Sequence, residues 1–203
     1  MLTEHASPDL YLASSSPRRC ELLRQIGVDF ATVTAAVDET PLDGEAPCNY
    51  VERLALAKAR AGWSYSSTAA RRPVLGADTT VVCDGINMGK PSDMADAVAM
   101  LMRLSGRTHP VISAVAVVQG ERSATRVVIT EVRFRELSVV ECEAYWETGE
   151  PVDKAGAYGI QGYAAVFVEA ISGSYSNVVG LPLLETAELL AEFSVPIWHG
   201  TAV

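Results

Sequence analysis

The sequence has no apolar run of the roughly 18 residues that a membrane-crossing helix requires. Its longest candidates, Val111–Val118 and Val178–Leu184, are short and broken by Ser113, Gly180 and Pro182. The opening residues Met1-Leu2-Thr3-Glu4-His5 lack the basic and apolar regions of a secretory signal. Four cysteines (Cys20, Cys48, Cys83 and Cys142) lie far apart with no CxxC, so reduced thiols in a cytoplasmic protein are expected instead of a disulfide framework. Positive charge is scarce: 16 basic residues stand against 25 acidic ones, for a net charge of −9. A nucleic-acid binder usually carries a basic face, because its affinity comes from neutralising phosphates. Nucleic acid is therefore not expected as a partner. His5, His109 and His199 fall in no ligand spacing and are expected to be incidental, and no Ser/His/Asp or Cys/His grouping suggests a covalent nucleophile. Neither a Walker A loop nor GxGxxG is present.

What is present is a chain of 203 residues, 49% apolar and 20% charged. That composition excludes disorder and suffices for a sizeable core. Strand-like and helix-like stretches alternate with short connections and no linker, so one α/β domain is expected over residues 1–203. Leu10–Ala13 reads as a strand running into Ser14-Ser15-Ser16. Ser16-Pro17 then reads as an N-cap with proline at the first helical position, opening a helix that stops at Gly27. A second helix is expected from Pro47 to Arg60, ending at Gly62, and a strand over Val74–Cys83 with Asp84-Gly85 as a tight turn. A third helix carries the stripe Met94, Ala97, Val98, Leu101, Leu104. Val111–Gln119 reads as a central strand covered on both faces, and Val128–Phe134 as a strand with one wet face. Ser138 and Glu141 form a capping box. A glycine-studded loop follows, then a strand over Ala164–Ile171 and a last helix opening near Pro182.

Four places break these patterns, and such breaks concentrate at functional sites. Ser14-Ser15-Ser16-Pro17-Arg18-Arg19 sets two arginines in the first turn of a helix, where the helix dipole disfavours cations. A polyphosphate bound by the free N–H groups, the hydroxyls of Ser14 and Ser16 and the two guanidinium forks would account for it. A capped surface helix with solvated arginines is the alternative. Asp78 interrupts the apolar run Val74–Cys83 and needs a cation, a metal or a cleft-facing position, since burying an unpaired carboxylate is costly. Both a structural ion pair and a catalytic acid fit. Lys58 shares a helical stripe with Val51 and Leu54, as a phosphate ligand or as a lysine snorkelling to solvent. Lys90, between Gly89 and Pro91, is a cation on a rigid loop or a surface turn. Finally, Asp153-Lys154-Ala155-Gly156-Ala157-Tyr158-Gly159-Ile160-Gln161-Gly162 would let backbone approach a ligand, with Gln161 and Tyr158 available for base recognition and stacking, or it is an ordinary connection.

Taken in order, Ser14-x-Ser16-Pro17-Arg18-Arg19, Asp38-Glu39, Lys58-Ala59-Arg60, Gly76-Ala77-Asp78-Thr79, Gly89-Lys90-Pro91, Leu104-Ser105-Gly106, the stretch 153–162, Gly173-Ser174-Tyr175 and Val179-Gly180-Leu181-Pro182-Leu183 resemble the Maf-like nucleotide pyrophosphatases from about Leu10 to Phe193. Ser15 stands where relatives often carry glycine. The resemblance implies an α/β fold of the Maf/Ham1 type (the inosine-triphosphate-pyrophosphatase-like architecture), an elongated mixed sheet flanked by helices around a central cleft. It implies hydrolysis of a nucleoside triphosphate to its monophosphate and pyrophosphate, aided by Mg²⁺ or Mn²⁺. The KAGAYGIQG stretch is like the branch that takes dTTP and UTP, as against the branch that takes 7-methyl-GTP. By position, Arg18, Thr79 and Gln161 match specificity residues and Asp78 the proton acceptor. Arg18, Arg19, Lys58 and Lys90 would clamp the triphosphate, and Glu39 and Asp78 would hold the metal. Homodimers are common in the family. The rivals are a non-catalytic regulator of septum formation or nucleic-acid-binding module, and an inosine-triphosphate pyrophosphatase.

Overall fold

Leu10–Ala13 forms strand β1, which passes through the three serines into helix α1 (Pro17–Gln25). The computed structural model describes residues 8–34, 36–65 and 72–198, so His5 and His199 lie outside the described residues. After β2 (Phe30–Thr32) come α2 (Pro47–Tyr65), β3 (Val74–Cys83), β4 (Ile86–Met88), α3 (Met94–Leu104), β5 (Thr108–Gln119) and β6 (Arg122–Phe134). The chain continues through α4 (Val139–Glu147), β7 (Val168–Ser172), α5 (Tyr175–Val179) and α6 (Leu183–Glu192). Three short 3₁₀ segments, Glu150–Asp153, Ala155–Ala157 and Tyr163–Phe167, lie between α4 and β7. Proline leads α1 as expected, but Ser16 makes no side-chain capping bond. Asp93 caps α3, and the Ser138/Glu141 capping box closes the start of α4.

The strands form one mixed sheet in the order β2-β1-β3-β5-β6-β7, with β4 also paired to β3. β1 runs parallel to β2 and β3, and the remaining pairs are antiparallel. One feature of the register creates the functional geometry. β1 leaves the edge of β3 at Gly76, and β4 joins that edge only at Val81. β5 occupies the opposite edge throughout Val74–Val81. Residues Ala77–Thr80 are thus left without a neighbouring strand on one side, and the sheet is split there.

Each face of the sheet carries its own core, because side chains alternate across a strand. Leu75, Ala77, Val81, Val111, Val115 and Val117 pack on one face with residues of α1, α3, α5 and α6. Val82, Ile112, Ala114, Ala116 and Val118 pack on the other against Val51, Ala55 and Ala59 of α2. β5 is therefore buried on both faces, as its continuous apolar run implies. Helix α2 lies so close to β3 that a Cβ at Gly76 would sit 2.2 Å from the Ala55 carbonyl oxygen and 2.6 Å from the Ala59 nitrogen.

Three expectations are corrected. Helix α2 continues through Gly62 to Tyr65, because that glycine is required for packing and does not stop the helix: a Cβ there would meet Val74 at 2.9 Å and Ala13 and Val33 at 3.0 Å. Residues 163–167 are 3₁₀ and the strand starts only at Val168; the N–H groups of Tyr163 and Ala164 are taken by a carboxylate, that of Glu150, and not by a neighbouring strand. Tyr158 is 6% exposed and does not offer a ring for stacking. It packs edge-on against Phe134 and His109, and its hydroxyl meets His109 Nε2 at 3.0 Å.

His109 is itself structural, as expected of a histidine outside any ligand grouping. Burial first, and Arg107 second, push its pKa down to about 4, against roughly 6.5 for an unperturbed imidazole. The unfolded chain therefore binds a proton that the native state refuses. Stability should be fully present above about pH 6.5 and fall by about 3 kcal/mol as the pH drops to 4. Thermal melts between pH 7 and 4.5 check this: His109→Gln, which can still bond Tyr158 but does not titrate, should show a flatter dependence.

Candidate active site

The split in the sheet opens into a cleft of about 1090 Å³, just above the roughly 300–1,000 Å³ usual for small-molecule sites. Its walls come from the end of β1, the start of α1, the stretch of β3 that lacks a neighbouring strand, the β4–Lys90 turn, the loop 150–162 and the Val179-Gly180 turn. The chain contains only three lysines, Lys58, Lys90 and Lys154, and all three line this cleft together with Arg18 and Arg19. Five cations thus face one cleft, alongside the carboxylates of Glu39, Asp78, Glu150 and Asp153, a mixed lining that can bind an anion at its cationic side.

On the α2 face of β3 stands Asp78, 7% exposed. Lys58 reaches it from α2 with Nζ 2.7 Å from Oδ1, and the same ammonium lies 2.7 Å from Glu39 Oε1. Lys58 is thus paired inside the cleft and does not snorkel to solvent. Burial raises the Asp78 carboxyl above the ordinary carboxylate range, while Lys58 and, more distantly, Arg19 pull it back. The net shift is upward, because burial is the largest influence and the nearby Glu39 charge adds to it. The second oxygen of each carboxylate accepts no hydrogen bond from the described residues.

On the opposite face stands Arg19. Its Nε donates to the Gly180 carbonyl at 2.8 Å, one terminal nitrogen to Ser14 Oγ at 3.2 Å and the other to Thr79 Oγ1 at 3.1 Å. Every partner is neutral, and Arg19 forms no ion pair among the described residues. Burial holds its pKa below the ordinary guanidinium value, with Asp78 opposing. A guanidinium has five N–H donors, so two remain after these three bonds. Thr79 Oγ1 is held 2.8 Å from Ser113 Oγ, and Ser113 donates to the Asn177 carbonyl at 3.0 Å. A hydrogen-bonded chain from β5 and α5 thus fixes Arg19 before any ligand arrives.

The remaining expected residues also line the cleft. Arg18 lies 3.8 Å from Asp153, across the opening. Ser14 Oγ accepts from the Ser16 N–H at 3.2 Å, and the Ser16 hydroxyl has no helix-capping role to compete with a ligand. Lys90 is exposed and has no ion pair among the described residues, and Gln161 is exposed at the lip with no hydrogen bond to the described residues. No group of three or more His, Cys, Asp or Glu among the described residues could hold a metal ion alone. Glu39 and Asp78 supply two hard oxygen ligands at most. That fits Mg²⁺ or Mn²⁺, which keep waters and take phosphate oxygens for the rest of their shell. Sequence reasoning missed Ser113, Asn177 and the Gly180 carbonyl, which hold Arg19 and Thr79, and it missed Glu150 and Tyr145 behind the loop.

A family model described as Maf-like protein matches residues 9–193. The dTTP/UTP pyrophosphatase of Saccharophagus degradans is 53% identical over 197 residues, covering 97% of this chain and 94% of that protein. The dTTP/UTP pyrophosphatase of Aromatoleum aromaticum is 54% identical over 202 residues, covering 93% and 97%. That of Symbiobacterium thermophilum is 53% identical over 196 residues, covering 95% and 98%. Among solved structures, the Ham1 protein of Staphylococcus aureus aligns with a TM-score of 0.39 at 10% identity, over 62% of this chain and 71% of that one, a likeness too slight to carry an argument.

Proposed function

The chain belongs to the Maf-like family, and from that premise we propose that it hydrolyses dTTP and UTP to the monophosphate and pyrophosphate. The observation that carries this reading is Arg19: a half-buried guanidinium with neutral hydrogen-bond partners only, two unspent donors, and a cleft lined by every lysine of the chain. A half-buried guanidinium with no ion-pair partner among the described residues carries a desolvation cost that Asp78 offsets only at a distance, and a bound triphosphate would supply an anion in direct contact. Arg18, Arg19, Lys58 and Lys90 would bind it, with Ser14 and Ser16 offering hydroxyls and Thr79 bracing Arg19.

In the reaction a water oxygen attacks the α-phosphorus while Asp78 orients it and accepts its proton. The bond from the α-phosphorus to the bridging oxygen breaks, and that oxygen leaves on pyrophosphate with the electron pair, its charge met by the surrounding cations. A raised pKa suits Asp78 to a base that must be free at neutral pH and still hold a proton in passing. Glu39 and Asp78 would hold the divalent cation, which when bound offsets phosphate charge. We read residues 1–203 as one domain, since the cores on the two faces share β3 and β5. A cytoplasmic location is supported by the four free cysteines.

The nucleobase is assigned to Gln161. A glutamine amide offers one donor side and one acceptor, matching O4 and N3–H of thymine or uracil. The thymine methyl is worth only about 1 kcal/mol in an apolar pocket, so dTTP and UTP should both be good substrates. CTP should be weaker, because its N4 amino group replaces O4 and its N3 carries no proton. Gln161→Glu should depress kcat/KM for dTTP and UTP, since an ionised carboxylate cannot donate to O4. Values of kcat/KM for dTTP, UTP, CTP, GTP and 7-methyl-GTP test the assignment, and a preference for either guanine nucleotide would overturn it.

A further inference from the structure

Gln161 makes no hydrogen bond of its own to the described residues. The loop that carries it is anchored from behind. The Glu150 carboxylate sits inside the curve of residues 159–164. Its Oε1 accepts from the Tyr145 hydroxyl at 2.7 Å and from the Ala164 N–H at 3.4 Å, and its Oε2 accepts from the Tyr163 N–H at 2.9 Å. Tyr145 in turn accepts from the Gly159 N–H at 3.1 Å. Three main-chain N–H groups, two residues before Gln161 and two and three after it, thus converge on one carboxylate and the phenol it holds.

Two further contacts show that the pocket is built around this carboxylate. A Cβ at Gly162 would lie 2.4 Å from Glu150 Cδ, and one at Gly159 would lie 2.6 Å from Lys154 Cε and 3.2 Å from Glu150 Oε1. Lys154 fastens the base of the loop by donating to the Glu150 carbonyl at 2.7 Å and to Asp153 at 2.7 Å. Burial, then the Glu150 hydrogen bond, hold the Tyr145 phenol well above its ordinary pKa, so it stays a donor to the carboxylate. Such charge-assisted bonds are the strong ones in a protein. Tyr145 and Glu150 come from α4 and the turn after it, and the packed aromatic pair of Tyr145 and Phe167 fixes that side.

We infer that Glu150 is a positioning residue for base selection: its carboxylate fixes the 159–164 backbone and so places the Gln161 amide against the pyrimidine edge. This inference rests on the reading of Gln161 as the base-recognising residue. Glu150 takes no part in the chemistry at phosphorus.

The test compares Glu150→Gln, Gly162→Ala, Gln161→Ala and the double variant Glu150→Gln/Gln161→Ala, with kcat and KM measured separately for dTTP, UTP and CTP. In Glu150→Gln the amide must set a donor against a backbone N–H, so the loop is released on one side. KM for dTTP and UTP should rise about tenfold with kcat nearly unchanged, and the preference over CTP should narrow. Gly162→Ala, which expels the carboxylate by volume, should reproduce that split without touching residue 150. The double variant should select no worse than Gln161→Ala, because both changes disable one device. Amide hydrogen exchange should quicken at 159–164 in Glu150→Gln and stay unchanged elsewhere. If Gln161→Ala lowers selectivity while Glu150→Gln leaves it intact, or if Glu150→Gln lowers kcat equally for all three nucleotides, the inference is overturned and the reading of Gln161 stands. If Gln161→Ala itself leaves selectivity unchanged, the reading of Gln161 falls, and this inference with it.

Discussion

Asp78→Asn should fold normally and turn over dTTP about a hundredfold or more slowly, the scale of losing a general base. Asparagine keeps the size of the side chain and removes the charge that burial opposes. The Lys58 ammonium retains Glu39 at 2.7 Å, so it is not left alone, and the melting temperature should shift little. The pH profile supplies a second signature. Asp78 lies above the ordinary carboxylate range, chiefly through burial, so kcat/KM should fall on the acid side at a higher pH than an exposed aspartate would give. That limb should vanish from the residual activity of the variant. Near-normal turnover in a properly folded Asp78→Asn protein would remove Asp78 from the reaction.

Lys58→Ala should be comparably severe, by a different route. The ammonium touches Glu39 and Asp78 at once, and without it two carboxylates share the site with no side-chain cation between them until a divalent cation binds. Like charges at close range disfavour joint ionisation, so Asp78 should rise further and the acid limb of kcat/KM should move to higher pH. Turnover at neutral pH should fall by about two orders of magnitude, as expected when a charge is lost both to the base and to the developing phosphate charge. The fold should tolerate the change, because Asp78 opens onto the cleft and can take up a proton instead of remaining charged. Melting curves and activity per folded molecule separate the roles. A steep loss of melting temperature with unchanged activity would make Lys58 a structural residue.

Elements that carry a period were legible in the sequence: the apolar stripe of α3, the doubly buried β5, the capping box of α4. Asp78 was legible because it breaks an apolar strand, and Lys58 because it breaks an apolar helical stripe. The pairing of these two was not, since it depends on how closely α2 approaches Gly76. The split in the sheet was also hidden. It arises because β4 is three residues long and joins β3 only at Val81, and so short a segment carries no detectable alternation. Arg19 owes its partners to Ser14, Thr79 and Gly180, residues brought together only by the fold. Tyr158 was misjudged for a local reason. It follows Gly156 and Ala157, both with left-handed backbone (φ 67° and 60°), and its ring enters the aromatic core instead of facing the cleft. Glu150 gave one faint signal, a carboxylate at the foot of a glycine loop, which a sequence cannot distinguish from a solvated surface acid.

The measurement that bears most directly on the proposed reaction is hydrolysis of dTTP in ¹⁸O-enriched water, followed by phosphorus NMR of the products. Attack at the α-phosphorus, with the triphosphate held by Arg18, Arg19, Lys58 and Lys90 and water delivered from Asp78, places the label in dTMP and releases unlabelled pyrophosphate. Label in the pyrophosphate, or release of orthophosphate with dTDP, would contradict it.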